Sequence, residues 1–479
     1  MRRPRRPEDY KEYSIVESFA KREIDFKKSR GNDLAFVFPA SYRVAASSLA
    51  FSWVRDLLSS AGVGVERFFF HESFKKFYSL ESLRPMDEFR TIAFSYQFET
   101  DLFNILEILR KRSIPLKWSD RGEEHPLIIV GGPMTYFNPS SVLPIADAVY
   151  RGDLEVAYLE FAEAILQTEK AGILRKLSDI PYIEIPSMSK RGVVAKFWDL
   201  NSLPPVGSVV SPDGEFKGKL LIEVGRGCIR RCAFCMIGHL QKPVRFVKPE
   251  VLEEILLEIP QSIPLGLISA TITDYPWLED LLDLLEGRKF SVSSMRLDRL
   301  TSRLLSMLRK SGQRSFTAAP EGGTQRIRDI LRKDISDEDI ERGLRMGREA
   351  GFEAVKMYFI YGVEEETEDD LLGIRDIAEL AISMGYKSVR LSLNPLIPKS
   401  GTPFQGRRMQ DLKTLKEKMK FLSSVLKLKG VKVDFESLKE SYVQYRIANM
   451  DPDEAQKLVN VFERDGRKGA IRWLLVNQI

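Results

Sequence analysis

All three cysteines of the chain fall in one short stretch, Gly225-Arg226-Gly227-Cys228-Ile229-Arg230-Arg231-Cys232-Ala233-Phe234-Cys235, as a C-x3-C-x2-C array. A structural zinc or a plain electron-transfer cluster takes four protein ligands. Three thiolates can hold three irons of a [4Fe–4S] cube and leave the fourth iron open, which makes it a place for a substrate. An odd number of closely spaced cysteines, in a 479-residue chain without secretory features, is not a disulfide framework. Cysteines that merely pack as small hydrophobes have no reason to gather in one loop flanked by Gly and Arg.

The apolar run Lys219-Leu220-Leu221-Ile222-Glu223-Val224 is the strand that delivers this loop. Strands expected at 265–269, 290–295, 315–319, 354–360 and 387–393 follow it, with helices such as 250–258, 304–311, 336–350 and 369–385 between them. Six βα units result, and the loops at the carboxyl ends of their strands are the ones to read for chemistry.

The cysteine loop resembles that of the radical S-adenosylmethionine (radical SAM) enzymes, whose C-x3-C-x-Φ-C carries an aromatic where Phe234 stands. The resemblance implies a partial (β/α)6 barrel over residues 215–405, a [4Fe–4S] cluster on Cys228, Cys232 and Cys235, and SAM chelating the open iron. Further marks are similar to the same family. Phe316-Thr317-Ala318-Ala319-Pro320-Glu321-Gly322-Gly323 matches the fourth-strand segment in which a glutamate approaches SAM, which points to Glu321. Tyr361-Gly362-Val363-Glu364-Glu365-Glu366-Thr367 resembles the fifth-strand segment, with Glu364 in place of a proline and Gly362 presenting its backbone to the adenine. Asn394-Pro395-Leu396-Ile397-Pro398-Lys399 resembles the sixth, implying contacts from Asn394 and Ile397. At the second strand the usual Gly-Gly-Glu is replaced by Ile268-Ser269-Ala270-Thr271, leaving Ser269 or Thr271 to supply that contact. Arg296, past the third strand, is a candidate partner of the SAM carboxylate; a surface salt bridge accounts for it equally well.

Ahead of this barrel the chain alternates strand and helix from residue 33, with apolar strands at 34–38, 65–69, 91–94 and 127–130. That pattern predicts a doubly wound, Rossmann-like parallel sheet over 33–172. Its strand-end loops carry Ser41-Tyr42, Ser95-Tyr96 and Gly131-Gly132. Their order resembles the cobalamin-binding domain of one radical SAM subgroup, so these six residues are the candidates for a cobalamin contact. No histidine lies near 39–45, which rules out a lower axial imidazole from that loop. Cobalamin bound without it and a domain that keeps the fold without the cofactor both remain open.

The boundaries expected are a charged arm over 1–32, whose arginines at 2–6 are a candidate phosphate contact, a proline-bearing connector over 173–214, and a mostly helical region over 406–479. In that last region Leu412, Leu415, Met419, Leu422 and Leu426 form a helical stripe ringed by lysines. A helix covering the barrel explains it better than an RNA or lipid partner. The absence of further cysteines argues against auxiliary clusters and the sulfur-inserting enzymes that need them.

No run of eighteen apolar residues appears, and the start of the chain lacks the apolar core of a secretory signal, so a cytoplasmic enzyme is expected. A net charge of +5, with 29% of residues charged, does not by itself establish nucleic-acid binding. The leading reading is a radical SAM enzyme whose 5′-deoxyadenosyl radical abstracts hydrogen from an unactivated carbon, with cobalamin-dependent methylation as its outcome. The alternatives are a cobalamin-independent rearrangement, cyclisation or coupling, and a non-catalytic cluster protein that binds RNA or senses redox state. A low-potential donor such as flavodoxin or ferredoxin is implied. The substrate is left open among a small molecule, a lipid, a peptide and RNA.

Overall fold

The computed structural model describes residues 7–29 and 31–476, and the arginine cluster at 2–6 lies outside the described residues. The chain divides into two compact units. One comprises the chain through Asp199, Pro205–Leu220 and everything from Arg446 on; the other comprises Leu200–Pro204 and Leu221–Tyr445. Residues 406–479, expected as one region, are thus shared between the two.

In the first unit five parallel strands stand in the order Val65–Phe69, Leu34–Phe38, Thr91–Ser95, Leu127–Gly131, Ala148–Tyr150, with Ile183–Glu184 antiparallel at the edge. This is the 2-1-3-4-5 order of doubly wound folds. Leu34–Phe38 and Thr91–Ser95 are buried at every residue, as strands covered on both faces must be. Within the charged arm expected over 1–32, residues Pro7–Arg22 form a docked helix. Val16 is fully buried, Phe19 stacks on Tyr42 at 4.1 Å, and the Glu12 carboxylate accepts N–H bonds from Lys75 and Lys76 at 2.8 and 3.1 Å. The connector is likewise part of this unit: Lys170–Asp179 is a helix, and Val209–Val210 pairs antiparallel with Ile24–Asp25. The last helix, Pro452–Val476, stacks Phe462 on Phe103 and kinks at Gly466, the residue whose positive φ permits the break.

In the second unit the six expected strands occur in chain order. Leu220–Glu223, Leu265–Ile268 and Phe290–Val292 form one sheet; Ser315–Glu321, Ala354–Tyr361 and Ser388–Pro395 form another, extended by a seventh parallel strand, Val431–Phe435. The helices Ser302–Lys310, Asp337–Glu349 and Glu368–Ser383 alternate with the strands. In the second sheet one face is buried (Phe316, Val355, Met357, Val389, Leu391), and Phe316 packs where Gly347 of the helix Asp337–Glu349 leaves room for it. The helix Leu412–Val425 turns Leu415 and Leu422 inward and closes on the loop after Ala354–Tyr361, in keeping with a covering role. Among the described residues no helix is long and apolar enough to cross a membrane.

Candidate functional site

The cysteine loop rises from a two-residue ribbon in which Gly225–Arg226 pairs antiparallel with Arg245–Phe246. Its path is fixed by backbone contacts. Gly227 has φ of 86°, and a side chain there would strike the Gln241 carbonyl; one at Gly238 would strike that of Arg230. Ala233 N–H donates to Leu331 O at 2.8 Å, and the His239 ring bonds Cys232 O at 3.0 Å through Nε2. Cys232 is buried, Cys228 and Cys235 are half-buried, and none is in a disulfide. Burial pushes the Cys228 and Cys232 thiols up, so each holds its proton until a metal displaces it. Among the described residues no three His, Cys, Asp or Glu side chains converge as ligands of a single ion would. Three thiols on one loop are the donor set that a cube with one open iron takes.

A chain of ion pairs and hydrogen bonds runs from this loop to the fourth strand. Arg230 binds Asp274 through Nε and Nη2 at 3.1 and 2.6 Å, and its Nη2 lies 3.6 Å from Asp298. Asp298 accepts from Arg296 Nε at 2.8 Å, and Arg296 Nη2 donates to the carbonyls of Lys333 and Asp334 at 2.8 and 2.9 Å. Lys333 Nζ then lies 3.3 Å from Glu321 Oε1. The Thr271 hydroxyl donates to Asp274 at 3.1 Å and is close enough to Cys228 to act on its thiol.

Glu321 owes its place to a bulge. Ala318 pairs with Met357 and Glu321 with Phe359, so Ala319 and Pro320 together oppose Tyr358 alone. Pro320 has no N–H to lose there, and Glu321 takes a φ of 67°, uncommon for a residue with a side chain. Burial raises the Glu321 carboxyl above its ordinary range, and Lys333 opposes the rise. Lys333, Arg296 and Glu321 all act electrostatically on Cys232, which brings the end of the fourth strand to the cluster loop.

The structure brings some of the predicted SAM residues together and leaves others apart. Phe234 packs on a buried cluster of Ala233, Ile327, Leu331, Ile360, Val363, Leu396 and Phe404, which joins the cluster loop to the fifth and sixth strand ends. Thr271 and Glu321 join the polar chain around the cysteines. Asn394 pairs in register with Ile360, and Ile397 is half-buried just past the sixth strand. Ser269 lies against Gly225, with its backbone tied to Ser293. Arg296 is buried, and the groups it holds are Asp298 and the Lys333–Asp334 carbonyls; it braces the turn that carries Lys333. Gly362 donates its N–H to Glu366 at 2.8 Å and has Leu415 against its Cα. Lys333 and Arg230 are the residues that sequence reasoning missed. Lys333 is twelve positions from Glu321 across a turn, and no periodic signal marks it.

The six residues considered for cobalamin are placed differently. Tyr42 is buried, with its hydroxyl on Glu23 and Ser211 at 2.7 and 3.0 Å. Ser95 accepts from Gln97 at 2.6 Å, and the Tyr96 hydroxyl donates to Glu99 O at 3.1 Å. Gly132, at φ of 106°, is seated against the Tyr96 backbone, where a Cβ would come within 2.8 Å of its carbonyl oxygen. At the switch point between Leu34–Phe38 and Thr91–Ser95, Asn104 donates to Pro39 O and accepts from Arg467, both at 2.8 Å. Tyr42, Ser95, Tyr96 and Gly132 are therefore committed to the packing of their own unit, while Ser41 is exposed and Gly131 half-buried. Four of the six positions are thus engaged within their own unit, and two, Ser41 and Gly131, are not.

Three cysteines on one loop, at the carboxyl end of the first strand of an alternating βα unit, are the arrangement that can hold three irons of a cube and leave the fourth open to a cofactor. Residues 222–378 match the radical SAM superfamily, and residues 65–186 match the N-terminal domain of radical SAM proteins. The chain belongs to the radical SAM superfamily. It is 26% identical to the uncharacterized protein MJ0966 of Methanocaldococcus jannaschii, over 89% of this chain and 90% of that one. Its fold is similar to that of the cobalamin-dependent radical SAM enzyme OxsB, solved with aqua-cobalamin and S-adenosylmethionine bound, with a TM-score of 0.50 and 15% identity. The likeness covers 91% of this chain but 62% of OxsB, so this chain spans less than two thirds of that enzyme.

Proposed function

We propose that this enzyme binds a [4Fe–4S] cluster through Cys228, Cys232 and Cys235 and cleaves SAM there to functionalise an unactivated carbon without cobalamin, by rearrangement, cyclisation or coupling. When bound, the reduced cluster supplies the electron that breaks a sulfur–carbon bond of SAM, and the 5′-deoxyadenosyl radical so formed takes hydrogen from the substrate. The observation that carries the reading is the path from the three-cysteine loop through Arg230, Asp298, Arg296 and Lys333 to Glu321. In this reading Glu321, held by Lys333, accepts hydrogen bonds from the SAM amino group or ribose. Phe234 and the apolar cluster beneath it keep water from that side of the loop. A low-potential donor of the flavodoxin or ferredoxin type, in the cytoplasm, would supply the electron.

The test is anaerobic reconstitution with iron and sulfide, then reduction in the presence of SAM. The expected result is cluster absorption and 5′-deoxyadenosine from the wild type and neither from Cys232→Ala. A wild type that binds iron but leaves SAM intact would favour the cluster-bearing RNA-binding or redox-sensing alternative.

Cobalamin-dependent methylation is the second reading, supported by the fold likeness to OxsB. It requires a corrin seat that does not depend on the side chains of Tyr42, Ser95 and Tyr96, which are engaged within their own unit. Cobalamin content of protein isolated from cells supplied with hydroxocobalamin decides between the two: a near-stoichiometric yield favours methylation, and none favours the cobalamin-independent reading.

A further inference from the structure

The second sheet of the barrel unit has one face packed and one face open, and the open face is charged. On the packed side stand Phe316, Val355, Met357, Val389 and Leu391, all buried. On the other side the register places Lys356, Arg390 and Lys432 directly across from one another on three adjacent strands. Neighbouring strands lie about 4.8 Å apart, so three cations share a single row. Like charges in such positions repel and lower sheet stability. Asp434, one row further on, is a carboxylate set against them: it pairs with Arg390 and feels both lysines. The first strand contributes neutral Thr317 to the row. Lys356 Nζ donates to the Tyr358 hydroxyl at 2.5 Å and sits 4.4 Å from the centre of its ring. Arg390 and Lys432 are exposed, and Lys356 is half-buried.

The same face carries the functional end of the sheet. Four residues beyond Lys356 is Ile360, which belongs to the apolar cluster under Phe234, and four beyond Arg390 is Asn394, paired with Ile360. At about 3.3 Å per residue, the cation row lies on the order of 10 Å along the strands from the level of the cluster loop. Tyr358 and Ser392 occupy the register between.

We propose that Lys356, Arg390 and Lys432 bind an anionic group of the substrate, a carboxylate or a phosphate, with Tyr358 and Ser392 along the path toward the reacting carbon. This assignment rests on the radical SAM reading for what happens at the other end of the substrate. The row excludes a wholly neutral lipid or hydrocarbon as the natural substrate, because nothing in such a molecule would offset the repulsion among three cations. It favours an elongated molecule with its charge on the order of 10 Å from the carbon attacked.

The test uses the full chain with its cluster reconstituted and SAM at saturation, so that the SAM carboxylate site is filled. Hexyl phosphate, hexanoate and hexanol serve as probes in isothermal titration calorimetry. The wild type should bind at least one of the two anions and not hexanol. Tighter phosphate binding assigns a phosphate substrate, and tighter hexanoate binding assigns a carboxylate. Arg390→Gln combined with Lys432→Gln should weaken that binding tenfold or more, and Arg390→Lys should restore most of it. Both positions are exposed, and since two of three repelling charges are removed, thermal melts of the double variant should fall at or above the wild type. Unchanged affinity in the double variant, or no anion binding by the wild type, would overturn the assignment. Formation of 5′-deoxyadenosine by the same wild-type sample is read separately: its absence is a failure of the enzymatic reading, while its presence without anion binding is a failure of this one.

Discussion

Lys333 Nζ lies 3.3 Å from Glu321 Oε1, with the lysine buried and the glutamate side chain only 13% exposed, and the two residues flanking the lysine, Arg332 and Asp334, both have φ of 50°. A turn of that shape costs free energy wherever the residues are not glycine, and here two Arg296 hydrogen bonds hold it in place. Lys333→Met keeps the bulk and removes the charge, leaving the Glu321 carboxylate buried without its cation. The variant should lose about 3 kcal/mol of stability and bind SAM more weakly, and Glu321→Gln in the Lys333→Met background should recover most of the stability but not the SAM affinity. Urea unfolding and equilibrium dialysis with labelled SAM measure the two effects.

The Arg230–Asp274 pair ties the middle of the cysteine loop to the segment after the second strand. Arg230→Gln should leave the three thiols able to take up iron, since none of them is touched. It should also free the loop, so that iron is lost to a chelator several times faster than from the wild type. Iron release followed by absorbance under anaerobic conditions gives the comparison, and equal rates would show that the pair does not restrain the loop.

Asp101 is pushed up to about 7 by burial, against the N–H bonds it accepts from Phe98 and Gln97. The native state therefore keeps this proton to a higher pH than the unfolded chain, whose carboxyl titrates near 3.8. The contribution to stability is complete below about pH 4, falls between about 4 and 7, and is gone above that range. A shift of about three units corresponds to roughly 4 kcal/mol. Asp101→Asn should remove this dependence and make the protein more stable than the wild type at pH 8. Urea midpoints at pH 4.5, 6 and 8 test it, and wild type and variant running parallel across the series would refute it.

Gly362 has φ of 83°, and a methyl at its Cα would come within 2.5 Å of Leu415 Cδ2. Gly362→Ala combines a left-handed non-glycine residue with overpacking, which together cost about 2–4 kcal/mol. Leu415→Ala relieves only the second of these. The double variant should therefore be less destabilised than the sum of the two single changes, as read from thermal or urea unfolding.

The three cysteines could be read from the sequence because ligation to iron fixes both residue type and spacing. The strand–helix alternation was readable for a similar reason: Leu34–Phe38 and Thr91–Ser95 are buried throughout, and apolar runs of that kind have few other uses. What the sequence conceals are relationships set by register and by turns. Glu321 meets Lys333 through a bulge and a strained turn, and neither leaves a periodic trace. Lys356, Arg390 and Lys432 are far apart in the chain and become neighbours when three strands align, which composition does not reveal. Arg296 shows the opposite error. An arginine past a strand end suggests an anion ligand, yet the groups it reaches are the Lys333 and Asp334 carbonyls. The N-terminal helix was obscured by its charge, since Glu12 is directed at backbone N–H groups and not at solvent.

The final helix belongs to the first unit, where Arg467 bonds Asn104 and Phe462 stacks on Phe103. On the ribosome the consequence is one of timing. The sheet that begins at Leu34 can start to assemble early, but the helix that completes its packing is made only after every residue of the barrel has been translated. Every residue of the barrel is therefore synthesised while helix Asp101–Lys111 still lacks its Phe462 partner.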